Sequence, residues 1–506
     1  MAAPFKKDPA EFNQRLLFPS NIFDLLPEDH ECYIYEDIFT QFDTTSVEKK
    51  YSVRGQHAFH PRLIVGILIY AYSQGIFSSR QIKKRCHEDL GFMYISHLNC
   101  PDFRVLSDFR KDNYEFFKEC FKQSVLLAME AGMVSLGHVS LDGSKFKADT
   151  SKHKAMSYGR LKEKERALTE EIEGLIQKAE QCDSEEDDEY DDKTGYEIPE
   201  GLKFKKNRLA KIKAAKEALE KREQELNPGK KIKDKKQISF ADKEARIMGK
   251  GENFQYAYNG QISVDKNNQI IVGQHLSQNS NDKQEVTPAI KEIKETTDKL
   301  LDVMSLDNGY MSGNNLAAFD DPNIDIDVYI ATGKGENNDQ RSLDECNRNV
   351  KKSDFIYDDD NKDCFICPAG HVLELKTRTG DDKKIYQARS EDCDQCPYRN
   401  RCCKSKKGEP RTISTDGKEP LRQEMIEKME KESSRKIYKK RKTIVEPVFG
   451  QIKKSMDFWG FSVRGFIKAG GEFSLVCAAH NIKKIVLSIR YRLEHLKEDK
   501  LAPMAV

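Results

Sequence analysis

The pattern of apolar positions in the first quarter of the chain predicts a set of short helices. Residues 60–75 are apolar almost all round, with Pro61 near the start, so we expect a buried helix there. A more polar helix should follow and end at Gly91, and one or two further helices should run from Asp102 to Gly132. Residues 1–135 are therefore interpreted as an all-α N-terminal domain.

These helices carry several basic residues that we expect on outer faces: Arg80, Lys83, Lys84, Arg85, Arg104, Arg110 and Lys111. Short helices joined by tight turns and bearing such a surface are typical of a helix-turn-helix-like DNA-binding unit. They fit a plain helical bundle with a solvated basic face equally well. The pattern alone leaves both interpretations open.

The period of the pattern changes to two after Gly137, which predicts an α/β domain. Strands are expected at 138–151, 253–265, 269–279, 301–307 and 325–332, with a helix over roughly 282–299. Asp142 and Asp307 should lie at the carboxyl ends of two strands, where ligand sites gather in open α/β sheets. An acid beside a glycine is also ordinary turn chemistry.

Heptad spacing between residues 158 and 239 predicts a helical hairpin that interrupts the sheet. The apolar positions are Leu161, Leu168, Ile172, Leu175 and Ala179 in one arm, and Leu202, Leu209, Ile212, Leu219 and Leu226 in the other. The tip, residues 183–192, contains eight acids, and residues 203–236 contain fourteen Lys or Arg against five acids. That basic arm could follow a phosphate backbone or could simply be solvated.

Composition places the chain among proteins of a reducing compartment. The net charge is only +1 with 33% charged residues, so charge is segregated along the chain rather than uniformly basic. Thirteen cysteines in 506 residues do not suggest a disulfide framework. The first residues have no apolar signal core, and no run approaches a membrane span, so we expect a cytoplasmic protein with no membrane contact.

Six of the cysteines lie in one polar segment, as Cys364, Cys367, Cys393, Cys396, Cys402 and Cys403. Two C-x2-C pairs in a reducing compartment indicate a structural tetrahedral zinc site. The alternative hypothesis, six cysteines without a metal, is weaker, because nothing else in so polar a segment could hold it folded. Residues 341–415 are interpreted as a small zinc-ribbon-like insertion, with the choice of four sulfurs left open.

Residues 437–455 place one acid, Glu446, in a strongly basic segment. Nine Lys or Arg lie between residues 431 and 454 against two acids. Tyr438, Lys442, Glu446 and Lys453 should fall on roughly one side of a helix. A carboxylate among cations suits a site for a metal ion and phosphates. From this segment alone, a solvated basic helix with an ion-paired glutamate is the favoured interpretation over a metal site.

Three acids now stand in the order strand, strand, helix, separated by 164 and 138 residues that each contain an insertion. With "HPRLIVGILIYAYSQG", "FRVLSDFRK", "SLDGSKFKA", "SLDNGYMS" and "YKKRKTIVEPVFGQIK", the chain resembles a DDE transposase of a bacterial insertion sequence from about residue 60 to 484. The resemblance implies an α/β fold with an RNase H-like mixed sheet and flanking helices, formed by residues 136–157, 240–340 and 416–495. An all-α helix-turn-helix-like domain would precede it, and the helical hairpin and zinc-ribbon-like segments would be insertions.

The resemblance also implies roles for particular residues. Asp142, Asp307 and Glu446 would be catalytic and would bind Mg²⁺ or Mn²⁺, a role suited to hard oxygen ligands. Tyr438, Lys442 and Lys453 match the family's signature around the glutamate, with Arg441 as an alternative to Lys442 for the DNA contact. The cysteine pattern is fitted best by Cys367, Cys393, Cys396 and Cys402, with Cys364 and Cys403 as alternates for zinc.

The implied reaction is metal-dependent cleavage at the ends of an insertion sequence, followed by strand transfer into target DNA. The expected partners are double-stranded DNA and a second copy of the chain in the DNA complex, near the bacterial nucleoid. Two alternatives stay open: a non-catalytic, domesticated zinc-containing DNA-binding protein, and an RNase H-like nuclease that cuts without joining. The first leaves the three acids unexplained.

Overall fold

A computed structural model describes residues 21–52, 57–151, 155–186, 200–249, 254–322, 324–332, 343, 348–358, 363–379, 383–405 and 408–501. The helices are α1 (Glu31–Thr40), α2 (Thr45–Glu48), α3 (Pro61–Ser73), α4 (Ser79–Glu88), α5 (Leu90–Ile95), α6 (Phe103–Asp112), α7 (Tyr114–Glu130), α8 (Tyr158–Glu186), α9 (Glu200–Leu226), α10 (Val286–Thr297), α11 (Gly313–Ala317), α12 (Ser390–Asp394), α13 (Arg399–Cys402), α14 (Glu419–Glu430), α15 (Glu432–Lys439), α16 (Arg441–Ile444), α17 (Glu446–Gly450) and α18 (Phe466–Leu501). Short 3-10 helices span Ile22–Leu25, Asn308–Tyr310 and Lys352–Asp354, and a π-helical turn spans Gln451–Ser455.

The strands are β1 (Val139–Lys147), β2 (Ala155–Ser157), β3 (Gln237–Ser239), β4 (Arg246–Met248), β5 (Gln255–Asp265), β6 (Ile271–Ser277), β7 (Val303–Leu306), β8 (Asp327–Ile330), β9 (Ile356–Asp358), β10 (Cys364–Ile366), β11 (Val372–Thr379), β12 (Lys383–Gln387) and β13 (Thr412–Thr415). Among the described helices, none has both the length and the apolar character that crossing a bilayer requires. The chain thus combines long helices with a large mixed sheet.

The main sheet has the order β4-β5-β1-β7-β8, with β6 also paired to β5. The pairings of β5 with β1, β4 and β6 are antiparallel, whereas the pairings of β1 with β7 and of β7 with β8 are parallel.

Two glycines let helices approach opposite faces of this sheet. A Cβ on Gly260 would lie 2.7 Å from Phe473 of α18, and one on Gly273 would lie 2.8 Å from Ile293 of α10. The sheet is therefore buried on both faces.

The N-terminal helices share one hydrophobic core with this sheet. The C-terminal helix α18 packs against α1, α3, α6 and α7 on one side and β6 on the other. As predicted, α3 begins at Pro61, which fills the first helical position. Gly91 does not end a helix, because Asp89 accepts a hydrogen bond from the Phe92 N–H and starts α5 around it.

Arg110 was expected on the basic outer face, and this expectation is wrong. The side chain is buried, donating to the Tyr72 hydroxyl at 2.8 Å and to the Ser79 hydroxyl at 2.6 Å. Tyr72 in turn donates to Glu472 of α18 at 2.8 Å. The sequence pattern missed this because a buried arginine is distinguishable from a surface one only by its partners.

The two long helices α8 and α9 run antiparallel. Tyr158 and Glu165 of α8 contact Glu220 and Lys216 of α9, respectively, and Leu161 and Leu168 pack against Ile212 and Leu219. Strands β2 and β3 pair at the base of the two helices. The predicted heptad positions Leu175 and Leu226 are exposed. The acidic tip lies largely outside the described residues.

The cysteine-rich region forms a second sheet, with the antiparallel order β13-β12-β11-β10-β9. It has a separate buried cluster that includes Phe355, Phe365, Leu373, Tyr386 and Ile413. This apolar cluster, which also includes Cys393 and Cys402, was not anticipated by the argument that a metal alone holds the segment folded. Its aromatic members are too widely spaced in a polar sequence to show a clear period.

Candidate active site

The sheet brings Asp142 and Asp307 side by side. Leu141 of β1 pairs with Leu306 of β7 in parallel, and the two aspartates come next on each strand. Neighbouring strands lie about 4.8 Å apart, so the two backbones are adjacent at this point. Asp142 is not at a strand end as predicted, because β5 continues to pair with β1 as far as Lys147. It lies instead where the pairing with β7 stops.

Glu446 lies at the start of α17, immediately after an interruption in the predicted helix. Pro447 has no N–H to donate to the Thr443 carbonyl, which instead accepts a hydrogen bond from the Gln269 side chain at 2.9 Å. The chain from 432 to 455 is thus divided into α15, α16, α17 and a π-helical turn. The backbone stays in the helical region at Lys440 and Val445, so the predicted helix is present in segments, and Pro447 accounts for the hydrogen bond missing between α16 and α17.

Arg441 connects the acids from sheet and helix. Its Nη2 lies 2.9 Å from Asp142 Oδ2, and its Nη1 lies 3.6 Å from Glu446 Oε1. The guanidinium is buried, whereas the Glu446 side chain is 51% exposed. Arg441 therefore faces the carboxylates instead of the surface, and Lys442 is the exposed neighbour.

The carboxyl group of Asp142 is harder to ionise than a free aspartate. Burial raises its pKa from 3.8 to about 6, Arg441 opposes this shift, and the nearby charges of Asp307 and Asp282 add to it. Arg441 thus compensates only part of the cost of keeping an anion here. Acids crowded together with raised pKa values are common at functional sites.

The other predicted DNA-contact residues lie at different depths. Tyr438 is half-buried, and burial raises its pKa. The Lys453 side chain packs against β1 and lies over the Phe146 ring. Its Nζ is 2.5 Å from Ser144 Oγ and 3.2 Å from the Lys145 carbonyl oxygen. Lys453 is therefore fixed beside Asp142 rather than extended into solvent.

Sequence reasoning missed several polar residues that line the same site. Asp282 accepts hydrogen bonds from Asn259 at 2.8 Å and Gln261 at 2.7 Å, and Lys145 Nζ lies 3.8 Å away. The sequence feature that could have indicated these residues is Gly143, inside β1. A Cβ at this position would lie 2.3 Å from Gln261 Nε2, so no larger residue fits there. A glycine inside a strand can mark such a close approach.

The donor chemistry of this site suits a hard divalent cation. It offers carboxylates from β1, β7 and α17, together with Asn259 Oδ1, which is buried without a hydrogen-bond partner. No three His, Cys, Asp or Glu side chains in the described part of the chain are arranged as a ready metal site. The Arg441 guanidinium already places a positive charge between Asp142 and Glu446.

The structure brings some of the predicted zinc ligands together. Burial raises the pKa of Cys402 to about 12, and the neighbouring Cys403 and Cys393 thiols add to the shift. The Cys367 sulfur accepts a hydrogen bond from the His371 N–H at 3.3 Å. Cys364 is buried on β10, and Cys396 is half-buried after α12. Cys403, an alternate in the sequence prediction, thus interacts with Cys393 across the segment.

Comparisons with known families match two separate parts of the chain. Residues 20–112 match the family described as "Transposase domain (DUF772)", and residues 366–486 match the family described as "Transposase DDE domain". The second range contains Glu446, Arg441 and five of the six clustered cysteines, whereas Asp142 and Asp307 lie outside both ranges. Searches of curated proteins and of solved structures gave no match. Together with the acids that Arg441 joins, the two family matches indicate a DDE-type transposase of an insertion sequence.

Proposed function

We propose that the chain binds the ends of its insertion sequence, cleaves the DNA strands there and joins them to target DNA at one RNase H-like site. The observation that carries the proposal is the placement of Asp142 and Asp307 on adjacent parallel strands, with Arg441 linking Asp142 to Glu446. The order of antiparallel strands followed by two parallel strands supports the RNase H-like assignment. Cleavage and joining use the site in succession, without a covalent protein intermediate.

Asp142, Asp307 and Glu446 would hold the divalent cation, Mg²⁺ or Mn²⁺. The bound cation would activate a water or a DNA 3′-hydroxyl and would neutralise charge on the departing oxygen. Arg441 keeps the Asp142 carboxylate in position through their 2.9 Å contact. Lys442 is exposed on the same segment and would contact a DNA phosphate. Lys453 orients β1 next to Asp142 through Ser144.

The test uses a linear duplex carrying the sequences that flank the chain's own gene, with the purified full-length chain and Mg²⁺. We expect strand cleavage at the element ends and, with target DNA added, joined products. Asp307→Asn should bind the duplex like the parent chain and fail to cleave it. Cleavage without joining would favour the nuclease alternative. Normal cleavage by Asp307→Asn would contradict the proposed site.

We propose that the cysteine-rich segment binds a structural zinc, separate from the site on the main sheet. Thiolates select Zn²⁺ where carboxylates select Mg²⁺. The ligands proposed are Cys367, Cys393, Cys396 and Cys402, with Cys364 and Cys403 as alternates. The contacts among Cys393, Cys402 and Cys403 support a site at this end of the segment.

Metal analysis of the purified chain should find about one zinc per chain that survives dialysis against Mg²⁺-free buffer. Cys393→Ser should lose it, and Cys477→Ser, on the buried face of α18, should keep it. A folded parent chain without zinc would contradict this proposal.

Because two ends are cut in one reaction, we also propose that two copies of the chain meet on DNA. Light scattering of the DNA complex can test this proposal.

A further inference from the structure

A fourth carboxylate, Asp282, lies between the two glycines that follow the acids of the sheet. Its Oδ1 lies 2.8 Å from the position that a Cβ on Gly143 would take, next to Asp142 in sequence. Its Oδ2 lies 3.3 Å from the corresponding position on Gly309, and Asp307 Oδ1 lies 2.8 Å from the same point. Asp282 therefore reaches from the backbone beside Asp142 to the carboxylate of Asp307.

Buried amides on β5 fix the orientation of this carboxylate. Asn259 Nδ2 and Gln261 Nε2 both donate to Asp282 Oδ1, at 2.8 and 2.7 Å, and both residues are fully buried. Within the described residues no donor contacts Oδ2. One oxygen is thus held by the sheet, and the other is left facing Asp307.

A second, independent feature at this point is the carbonyl oxygen of the Asn259 side chain. Asn259 is 0% exposed, and its Oδ1 has no hydrogen-bond partner. That oxygen lies 3.0 Å from the Cβ position of Gly143, beside Asp282 Oδ1. Buried carbonyl oxygens are nearly always paired, so this atom indicates a donor that binds here.

We propose that Asp282 is a further ligand of the divalent cation held by Asp142, Asp307 and Glu446, and that Asn259 Oδ1 accepts a hydrogen bond from a water bound to that cation. The inference rests on the proposed function and deepens it. Gln261 is a positioning residue, because it acts through Asp282, whereas Asn259 would act both through Asp282 and through the bound water. The loop is held independently through the Asp282 main-chain carbonyl, which accepts from Asn315 at 3.0 Å.

The test measures Mn²⁺ binding by the full-length chain without DNA, from the electron paramagnetic resonance signal of free Mn²⁺. Asp282→Asn should weaken Mn²⁺ binding by about tenfold or more, since it keeps the shape and removes the charge. Asp302→Asn is the matched control, because Asp302 lies exposed just before β7, at the opposite end from Asp307. It should bind Mn²⁺ like the parent chain.

The outcomes separate this inference from the proposed function. Unchanged binding by Asp282→Asn, with weakened binding by Asp307→Asn, would overturn the inference and leave the proposed function standing. Unchanged binding by both variants would contradict the metal site itself. Asp282→Glu keeps the charge and moves it by one methylene group, so it gives a second measurement if the asparagine variant does not fold. We expect binding between that of Asp282→Asn and the parent chain, and parent-like binding would count against Asp282 as a ligand.

Discussion

Arg110 and Arg441 are equally buried, each 7% exposed, and each lies against acidic side chains, but the acids differ in what else they contact. Glu472, 3.8 Å from Arg110, also accepts from the Tyr72 hydroxyl and from the N–H groups of Ser462 and Val463. Glu446, 3.6 Å from Arg441, contacts no other donor in the described structure. Its side chain is half exposed.

The difference shows how to tell a structural ion pair from one that is part of a site. The Arg110 guanidinium donates to Tyr72, Phe77 and Ser79 and connects the N-terminal helices to Glu472 of α18, so removing one partner would leave a buried charge uncompensated. At Arg441, the second Glu446 carboxylate oxygen has no donor among the described residues, and burial raises the pKa of Asp142 to about 6 although Arg441 opposes the shift, so an ionised Asp142 costs stability. That cost is expected where a protein is built to bind a cation.

The largest expected difference concerns cleavage. Glu446→Gln keeps the shape and removes the charge, so cleavage of element ends should fall by about 10²–10³-fold or more. Glu472→Gln should leave the rate per folded molecule close to that of the parent chain. Single-turnover assays with Mg²⁺, normalised to folded protein, measure both. Equal losses in the two variants would remove the distinction between the clusters.

Stability should respond in the opposite order. Glu472→Gln leaves Arg110 buried without its counter-charge, which should lower the free energy of unfolding by about 3–5 kcal/mol. Glu446→Gln should change it by less than about 1 kcal/mol, because that carboxylate is half exposed. Urea denaturation of the metal-free proteins at pH 7.5 checks this. A larger loss for Glu446→Gln would contradict the comparison.

A gain in stability is expected for Asp142→Asn in the metal-free chain. The folded pKa of Asp142 is about 6 against 3.8 for a free aspartate, so the folded parent loses stability as pH rises from about 4 to about 6. The asparagine variant has no charge to acquire and should be more stable above pH 6 by roughly 1–3 kcal/mol. The advantage should disappear near pH 4. Denaturation curves across this range would show a constant difference if the raised pKa were absent.

The smallest effect is expected from the exposed lysine beside Arg441. Lys442→Ala should reduce the slope of log K against log salt by roughly one unit, because one phosphate contact is lost. Lys291→Ala, on the exposed side of α10 and paired with Glu295, is the matched control. Titrations at several salt concentrations compare the two. An equal slope in the parent and Lys442→Ala would show that this lysine does not contact DNA.

The sequence predicted the elements whose signals are local. Pro61 begins α3 as expected, and the paired heptads between 158 and 226 correspond to α8 and α9. The acids on β1 and β7 are side by side because each follows an apolar run on a parallel strand. Each helix or strand depends on neighbours within a few residues, although the pairing of β1 with β7 joins positions far apart in the chain.

The sequence did not reveal features that depend on contacts distant along the chain. Asp282 looks like an ordinary loop residue until Gln261 and Asn259 are placed next to it. Arg110 looks like a surface cation until Tyr72 and Glu472 surround it. The core of the cysteine-rich segment was hidden for the same reason, since Phe355 and Ile413 lie far apart in sequence.

The position of Arg441 has a consequence for how related genes are found in genomes. On an unbroken helix, an arginine five residues before a glutamate would point about 140° away from it, at 100° per residue. Here Arg441 nevertheless lies 3.6 Å from Glu446 and 2.9 Å from Asp142. A search pattern that fixes the interval at four would select Lys442 and would miss the buried arginine that contacts the acids. A search for related transposase genes should therefore use a pattern that also records the residue five positions before the glutamate.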